Sequence, residues 1–240
     1  MRGLTTALLA ACIGTTLATP CIGATTAAPE EVLKSATQDV ISIIRQDKSI
    51  QSGNPAKVAE LVEMRILPLF DFNRMTRIAA GRTWRLATPE QQQALATEFK
   101  TLVVHTYATA LTVYRDRTIE FKQLRAVPGD NAITVKSTIR QAGGAPLSMD
   151  YEMEKAALGW KVYDIKIEGV SLITNYRNAF TAKVSEAGID GLVKSLAEKN
   201  RQGASGLRAQ QDESFYLPVF IRTIIQGLSN RRVGVAAPMP

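Results

Sequence analysis

The hydrophobic pattern of this chain changes period once, near Tyr114, and that change divides it into a helical part and a sheet part. Before it, apolar residues recur at spacings of three and four, as Leu33, Ala36, Val40, Ile44 and then Val58, Leu61, Val62, Ile66. That spacing lines one side of an α-helix. Gly53-Asn54-Pro55 separates these two predicted helices, and Pro68 stops the second. Asp71 caps a short helix through Met75 and Ile78 that ends at Gly81. Thr88-Pro89-Glu90-Gln91 has the residue types of a capping box with proline at the first helical position. Behind it Leu95, Phe99, Leu102, Val103, Thr106, Ala110 and Val113 predict one helix from Pro89 to Tyr114. A helix of that length would run about 38 Å, enough to cross a small domain.

After Tyr114 the period is two. Ile119 and Phe121 alternate with Glu120 and Lys122; Ile133, Val135, Ser137 and Ile139 alternate with Thr134, Lys136, Thr138 and Arg140. Leu147, Met149, Tyr151 and Met153 alternate with Ser148, Asp150, Glu152 and Glu154, and Tyr163, Ile165 and Ile167 are expected to share a face of the next strand. Pro128-Gly129-Asp130-Asn131, Gly143-Gly144 and Gly159 supply turns. The expectation is an α+β fold: a four-stranded antiparallel meander over residues 117–168, of cone-shaped (NTF2-like) form, joined to a helical subdomain over 29–114. The sheet is apolar on one face only, so it needs one helical cover, and the long helix is the obvious candidate. Further helices follow over 170–200, broken at Gly188 and capped again by Asp190. Residues 202–240 read as a linker followed by an apolar tail around Phe215 to Leu228.

The ends of the chain alter this picture. Arg2 is the only charged residue before Glu30, and Leu4 to Leu17 is a short apolar run rich in small residues. Residues 1–24 therefore read as a secretory signal, with cleavage sites up to residue 28. The run is too short to cross a membrane. Cys12 could belong to a lipoprotein box, but too little precedes it for a charged start and an apolar core. Both cysteines, Cys12 and Cys21, lie in that segment. An exported mature chain would then carry no disulfide, thiolate metal site or cysteine nucleophile. Without Arg2 it has 28 basic and 22 acidic residues, a mild excess suited to acidic partners or anionic headgroups. The basic residues are dispersed, which does not favour nucleic acid.

Catalytic chemistry is sparse. His105 is the one histidine and sits among Val103 and Val104 on the long helix. No phosphate loop, nucleophile elbow or metal-spaced cluster occurs. Asp150, Glu152 and Glu154 alternate with apolar residues, as a solvated strand face does. Asp164, between Tyr163 and Ile165, is the one carboxylate placed to serve as a general base.

Several stretches match a known family in order and spacing. They are Leu67-Pro68-Leu69-Phe70-Asp71-Phe72, Gly81-Arg82-Thr83-Trp84, Thr88-Pro89-Glu90-Gln91, Trp160-Lys161-Val162-Tyr163-Asp164 and Glu168-Gly169-Val170-Ser171-Leu172, followed by Asn175-Tyr176-Arg177 and Phe180. Over residues 29–201 the chain resembles the MlaC, or toluene-tolerance, family of periplasmic phospholipid-binding proteins. The resemblance implies a helical layer and a twisted sheet enclosing an apolar cavity for acyl chains, with no catalytic residue, metal or cofactor. It implies a carrier exchanging lipid between an outer-membrane lipoprotein complex and an inner-membrane ring of MCE domains served by an ABC transporter, acting as a monomer in maintaining lipid asymmetry. The segment after Gly203 departs from the family pattern.

Physical chemistry agrees with such a carrier. At about 0.8 kcal/mol per methylene, two chains of roughly 30 carbons represent on the order of 20 kcal/mol, so tails must be enclosed while headgroups need not be. The expected lining is Phe99, Leu102, Val103 and Tyr107 on the long helix, then Ile133, Val135, Leu147, Met149, Tyr151, Met153, Tyr163 and Ile165 on the sheet, with Ile173 and Tyr176 beyond it. Met149 and Met153 are adaptable, and Tyr107, Tyr151 and Tyr163 offer apolar bodies with polar tips. Two other readings stay open: a small-molecule isomerase or hydrolase using Asp164 or His105, and a non-enzymatic periplasmic adaptor whose apolar faces bind partner helices.

Overall fold

A computed structural model describes residues 27–108, 117–122, 129–140 and 145–204. The expected signal segment, the apolar tail and the last part of the long helix lie outside them. Helices α1 (Pro29–Gln46), α2 (Lys48–Gln51), α3 (Pro55–Leu61), α4 (Phe72–Ala80) and α5 (Pro89–Tyr107) come first. Strands β1 (Thr118–Phe121), β2 (Ala132–Arg140), β3 (Leu147–Ala156), β4 (Gly159–Ile167) and β5 (Val170–Ser171) follow, and α6 (Thr174–Ala204) closes the described chain.

The helix starts are written in the sequence. Asn54 Oδ1 accepts from the amides of Ala56 and Lys57, and Asp71 Oδ1 accepts from Arg74 N at 2.9 Å. Thr88 and Gln91 close a reciprocal capping box, Gln91 N to Thr88 Oγ1 at 3.3 Å and Thr88 N to Gln91 Oε1 at 3.0 Å. Asp47 adds a cap that periodicity did not reveal: its carboxylate takes the amides of Ser49 and Ile50, breaking the first helix into α1 and α2.

The sheet is an antiparallel meander in the order β1-β2-β3-β4-β5. It has five strands where four are expected, because a tight turn through Glu168 and Gly169, both left-handed, folds Val170–Ser171 back onto Ile167 and Lys166. Ile133 opposes Met153, Val135 opposes Tyr151 and Ile139 opposes Leu147, so the alternating apolar sets fall on one face.

The cover is not the expected one. Leu95, Phe99, Leu102 and Val103 of α5 pack with Met75, Ala79 and Ala80 of α4 and with Ile173, Tyr176, Phe180, Leu192 and Leu196 of α6. Phe99 meets Tyr176 and Phe180 edge-on, with centroids 4.9 and 5.2 Å away. The sheet face instead receives Leu33 of α1, which is buried with Val135, Met153 and Val162. The reason is α6: its apolar stripe packs along α5, and the cluster these two form with α4 meets the sheet only at Ile165 and Ile167. Gly188, at φ 71° and ψ −176°, turns α6 back on itself. Its first half runs from beside Tyr107 and Phe99 toward the start of α5. The second half returns parallel to α5, tied by Gln91 Nε2 to Asp190 Oδ1 at 2.7 Å and by Asn200 Nδ2 to the Glu98 carbonyl at 2.9 Å. A side chain at Gly188 would be strained, and a Cβ at Gly191 would stand 2.3 Å from that of Ala187. A separate cluster of Ile44, Ile50, Val58, Leu61 and Val62 holds the first three helices together.

Candidate functional site

The two faces of the sheet have different jobs. On the apolar face Val135, Met153 and Val162 are fully buried beneath Leu33, while Ile133, Leu147, Tyr151, Ile165 and Ile167 keep part of their surface exposed. Tyr151 donates to Met149 Sδ at 3.2 Å, so its polar tip stays on that same face. The apolar face of the sheet is thus only partly covered.

A β-bulge at Glu152/Met153 resets β4. Residues on one side of it, Ile165 and Ile167, and on the other, Val162, point to the apolar face, and Tyr163 does not. Its hydroxyl lies 3.5 Å from Glu152 Oε2, and the Arg74 guanidinium covers its ring at 4.0 Å. The expectation that Tyr163 shares a face with Ile165 and Ile167 is thus corrected. The signal was present: Trp160 and Val162, then Ile165 and Ile167, leave an interval of three where a regular strand has two.

The same network revises the reading of the acidic residues. Glu152 accepts from Lys166 Nζ at 2.7 Å and from Thr134 Oγ1 at 3.1 Å, and its hydrogen bond holds the Lys166 ammonium above its usual range. Arg74 of α4 pairs with Glu154. Glu152 and Glu154 are partnered and half-buried rather than free in solvent, and Glu154 fastens α4 to the back of the sheet.

Asp164 is buried at the corner where β4, β5 and α6 meet. It accepts from Ser171 Oγ at 2.5 Å, from Ile165 N at 2.8 Å and from Ile173 N at 3.2 Å. Burial raises its pKa, while these donors and Lys166 pull the other way. Its oxygens are engaged in closing the corner, which leaves little for a general base to do. His105 lies against Gly203 of α6. No group of three or more His, Cys, Asp or Glu residues with metal-binding spacing occurs among the described residues.

Thirteen of the fourteen expected lining residues divide between two places, and Tyr163 belongs to neither. Phe99, Leu102, Val103, Ile173 and Tyr176 are buried in the helical cluster, with Tyr107 packed at its edge. Burial, and then the neighbouring Tyr176 phenol, push the Tyr107 hydroxyl well above its ordinary pKa. Val135 and Met153 belong to the sheet cluster, with Ile133, Tyr151 and Ile165 packed against it. Ile165 touches both clusters. Leu147 and Met149 continue the sheet face, and Tyr163 stands behind it.

Among the described residues two clefts stand out beside these clusters, and neither is lined by the fourteen. One of about 930 Å³ separates α1 from β1, with Ile41, Ile119 and Phe121 among Lys34, Arg45, Arg117 and Glu120. The other, about 440 Å³, lies between Phe70 and Phe72, the outer side of α5 and the β3–β4 hairpin tip. Sequence reasoning missed what builds its floor: Phe70 bridges to Val162 in parallel, and Asp71 N donates to the Val162 carbonyl at 2.9 Å. Phe70 and Asp71 thereby pair with the edge of β4 at Val162, and only the aromatic pair Phe70 and Phe72 hints at it.

Comparison with known proteins gives consistent results. The family described as MlaC protein matches residues 34–198. The intermembrane phospholipid transport system binding protein MlaC of Haemophilus influenzae is 24% identical over 178 residues, covering 73% of this chain and 83% of that protein. Toluene tolerance protein ttg2D of Pseudomonas putida is 24% identical over 163 residues, covering 68% of this chain and 75% of that one. A phospholipid-binding protein from Ralstonia solanacearum, solved in complex with a phospholipid, superposes with a TM-score of 0.69 at 43% identity, covering 74% of this chain and 99% of that chain.

Proposed function

The chain belongs to the MlaC family, and from that membership we propose that it is a periplasmic carrier of phospholipid between membranes. The observation that carries this reading is the Ralstonia relative, 43% identical along nearly its whole length and holding a phospholipid. The half-covered apolar face of the sheet supports it physically. In our reading Ile133, Leu147, Met149, Tyr151 and Ile165 touch the acyl chains, with Val135 and Met153 beneath them. Phe99, Leu102, Val103, Ile173 and Tyr176 form the body of the facing wall, with Tyr107 at its edge. Tyr163 supports the sheet from behind.

The work required is enclosure. Tails gain by leaving water at about 25 cal/mol per Å² of apolar surface, and the headgroup stays hydrated at the opening. No bond is made or broken, so the reading assigns no catalytic residue and no cofactor. Residues 1–24 act as the export signal. The lipid is taken from and given to an outer-membrane lipoprotein complex and an inner-membrane ring of MCE domains. The engaged oxygens of Asp164 give the isomerase or hydrolase alternative no support.

Organic extraction of the protein purified from cells, followed by mass spectrometry, tests the proposal. Near-stoichiometric two-chain phospholipid is expected. A stable protein that yields no lipid would overturn it.

A further inference from the structure

The larger cleft, of about 930 Å³, leads onto the apolar face of the sheet. It runs between α1 and β1, where Ile41, Ile119 and Phe121 supply its apolar lining. Phe121 packs against the cluster of Leu33, Val135 and Met153, and its ring lies 6.1 Å from that of Tyr151. The cleft is therefore continuous with the partly covered face. Its polar lining carries both signs, Lys34, Arg45, Arg117 and Lys122 against Glu30, Glu31 and Glu120, so charge does not select what fills it.

The chain itself carries a segment of matching chemistry. Residues 215–228 are mostly apolar, with Phe215, Leu217, Phe220, Ile221, Ile224 and Ile225 among them and Arg222 as their one charge. They lie beyond the family match, which ends at residue 198. A run of that length is too short to span a membrane. Left in water, it forfeits about 25 cal/mol for each Å² of apolar surface it could bury.

Where α6 ends decides which surface this tail reaches first. Gly203, in the last turn of α6, lies against the His105 side chain. The neighbouring Val104 packs onto the cluster that includes Ile44 of α1, and Arg45, next to Ile44, lines the cleft. The path from Ala204 to the cleft thus crosses α5 and α1, about 20 Å at the usual spacing of packed helices. The linker, residues 205–214, has an r.m.s. span of about 17–19 Å as a flexible chain and about 35 Å when extended. A linker matched to its span gives an effective concentration on the order of millimolar. The 440 Å³ cleft lies farther off, since Gln93 on its wall is about 18 Å along α5 from His105.

We propose that residues 215–228 dock in the α1–β1 cleft and on the apolar face it opens onto, and that phospholipid cargo displaces them. The tail covers that face while the carrier is empty and yields it to acyl chains on loading. The docking goes beyond the carrier reading; the displacement rests on it.

Disulfide trapping in the delipidated mature chain tests it. Cys12 and Cys21 fall within residues 1–24, so introduced cysteines are the only ones present. Thr223→Cys is combined with Gln38→Cys, an exposed position on the α1–β1 cleft, or with Gln93→Cys, an exposed position on the smaller cleft. The intramolecular disulfide should form about tenfold faster with Gln38→Cys, and added phosphatidylglycerol should slow it. Phe220→Asp with Ile224→Asp in the full mature chain should abolish that preference. The same pair should raise affinity for a fluorescent-tailed phosphatidylglycerol about tenfold, the gain from releasing a tail docked nine-tenths of the time. Equal rates at the two positions, or disulfides formed only between molecules, overturn the docking. Selective trapping that phosphatidylglycerol leaves unchanged overturns the displacement. Selective trapping in a chain that takes up no phosphatidylglycerol supports the docking and refutes the carrier reading, and with it the displacement.

Discussion

The helical cluster and the apolar sheet face are built from similar residues but end in opposite states. Around Phe99 the packing is closed, with Leu95, Ile173, Phe180, Leu192 and Leu196 all essentially without exposure. On the sheet, Val135 and Met153 are equally buried, yet Ile133, Leu147, Tyr151 and Ile165 beside them remain part exposed. The first region is finished by the chain itself. The second is left part exposed. Stability should therefore reside in the first region and cargo in the second, so substitutions should separate the two.

The largest effect is expected at Phe99. Phe99→Ala empties the centre of the closed cluster and should cost about 3–5 kcal/mol, read as a shift of the denaturant midpoint. A cost under about 1 kcal/mol would show that α5 and α6 are not the stabilising core.

Next comes the corner that joins the two regions. Asp164→Ala leaves the Ser171 hydroxyl and the buried Ile173 amide without their acceptor and should cost about 1–3 kcal/mol. The pH dependence has a definite sign. The folded-state pKa of Asp164 is raised, so the folded protein binds more protons than the unfolded chain between the two values. Its contribution is complete below the ordinary carboxylate range and is lost as pH rises through the raised value. Asp164→Asn should remove that part of the pH profile, measured by denaturant titration across the acidic range. An unchanged profile would mean that the hydrogen bonds, and not burial, dominate.

The comparison is sharpest for the sheet face. Ile133→Ser with Tyr151→Ser should cost only about 1 kcal/mol in stability, since both residues are already part exposed. It should lower co-purifying lipid several-fold. If stability collapses while lipid content holds, the roles of the two regions are reversed. The smallest effect belongs to an exposed pair on the far helices. Lys57→Ala removes its 2.7 Å contact with Glu60 and should leave the denaturant midpoint unchanged within error, because both side chains are exposed and solvent screens the pair.

Much of the fold was legible because its signals are local. Thr88 with Gln91, Asn54, Asp71 and Gly188 each act within a few residues, and each falls where the sequence reading put a boundary. Strict alternation in β2 and β3 fixed which side chains share a face. Alternation failed at Tyr163 because the bulge adds one residue to β4, and only the long interval between Val162 and Ile165 marks it. It also missed β5, whose two residues are too few to show a period.

The candidate site was less legible. All fourteen expected residues are apolar or aromatic, and periodicity finds the apolar side of an element without saying what lies against it. The sequence alone determined that a helical half precedes a meander with one apolar face. Tertiary structure decided that α6 claims the inner side of α5, that Leu33 of α1 reaches the sheet, and that part of the sheet is left uncovered. The physical reason is that burial is non-directional. A stripe of leucine and phenylalanine gains as much against one apolar partner as another, and the choice rests on the lengths, turns and shapes of all the elements together.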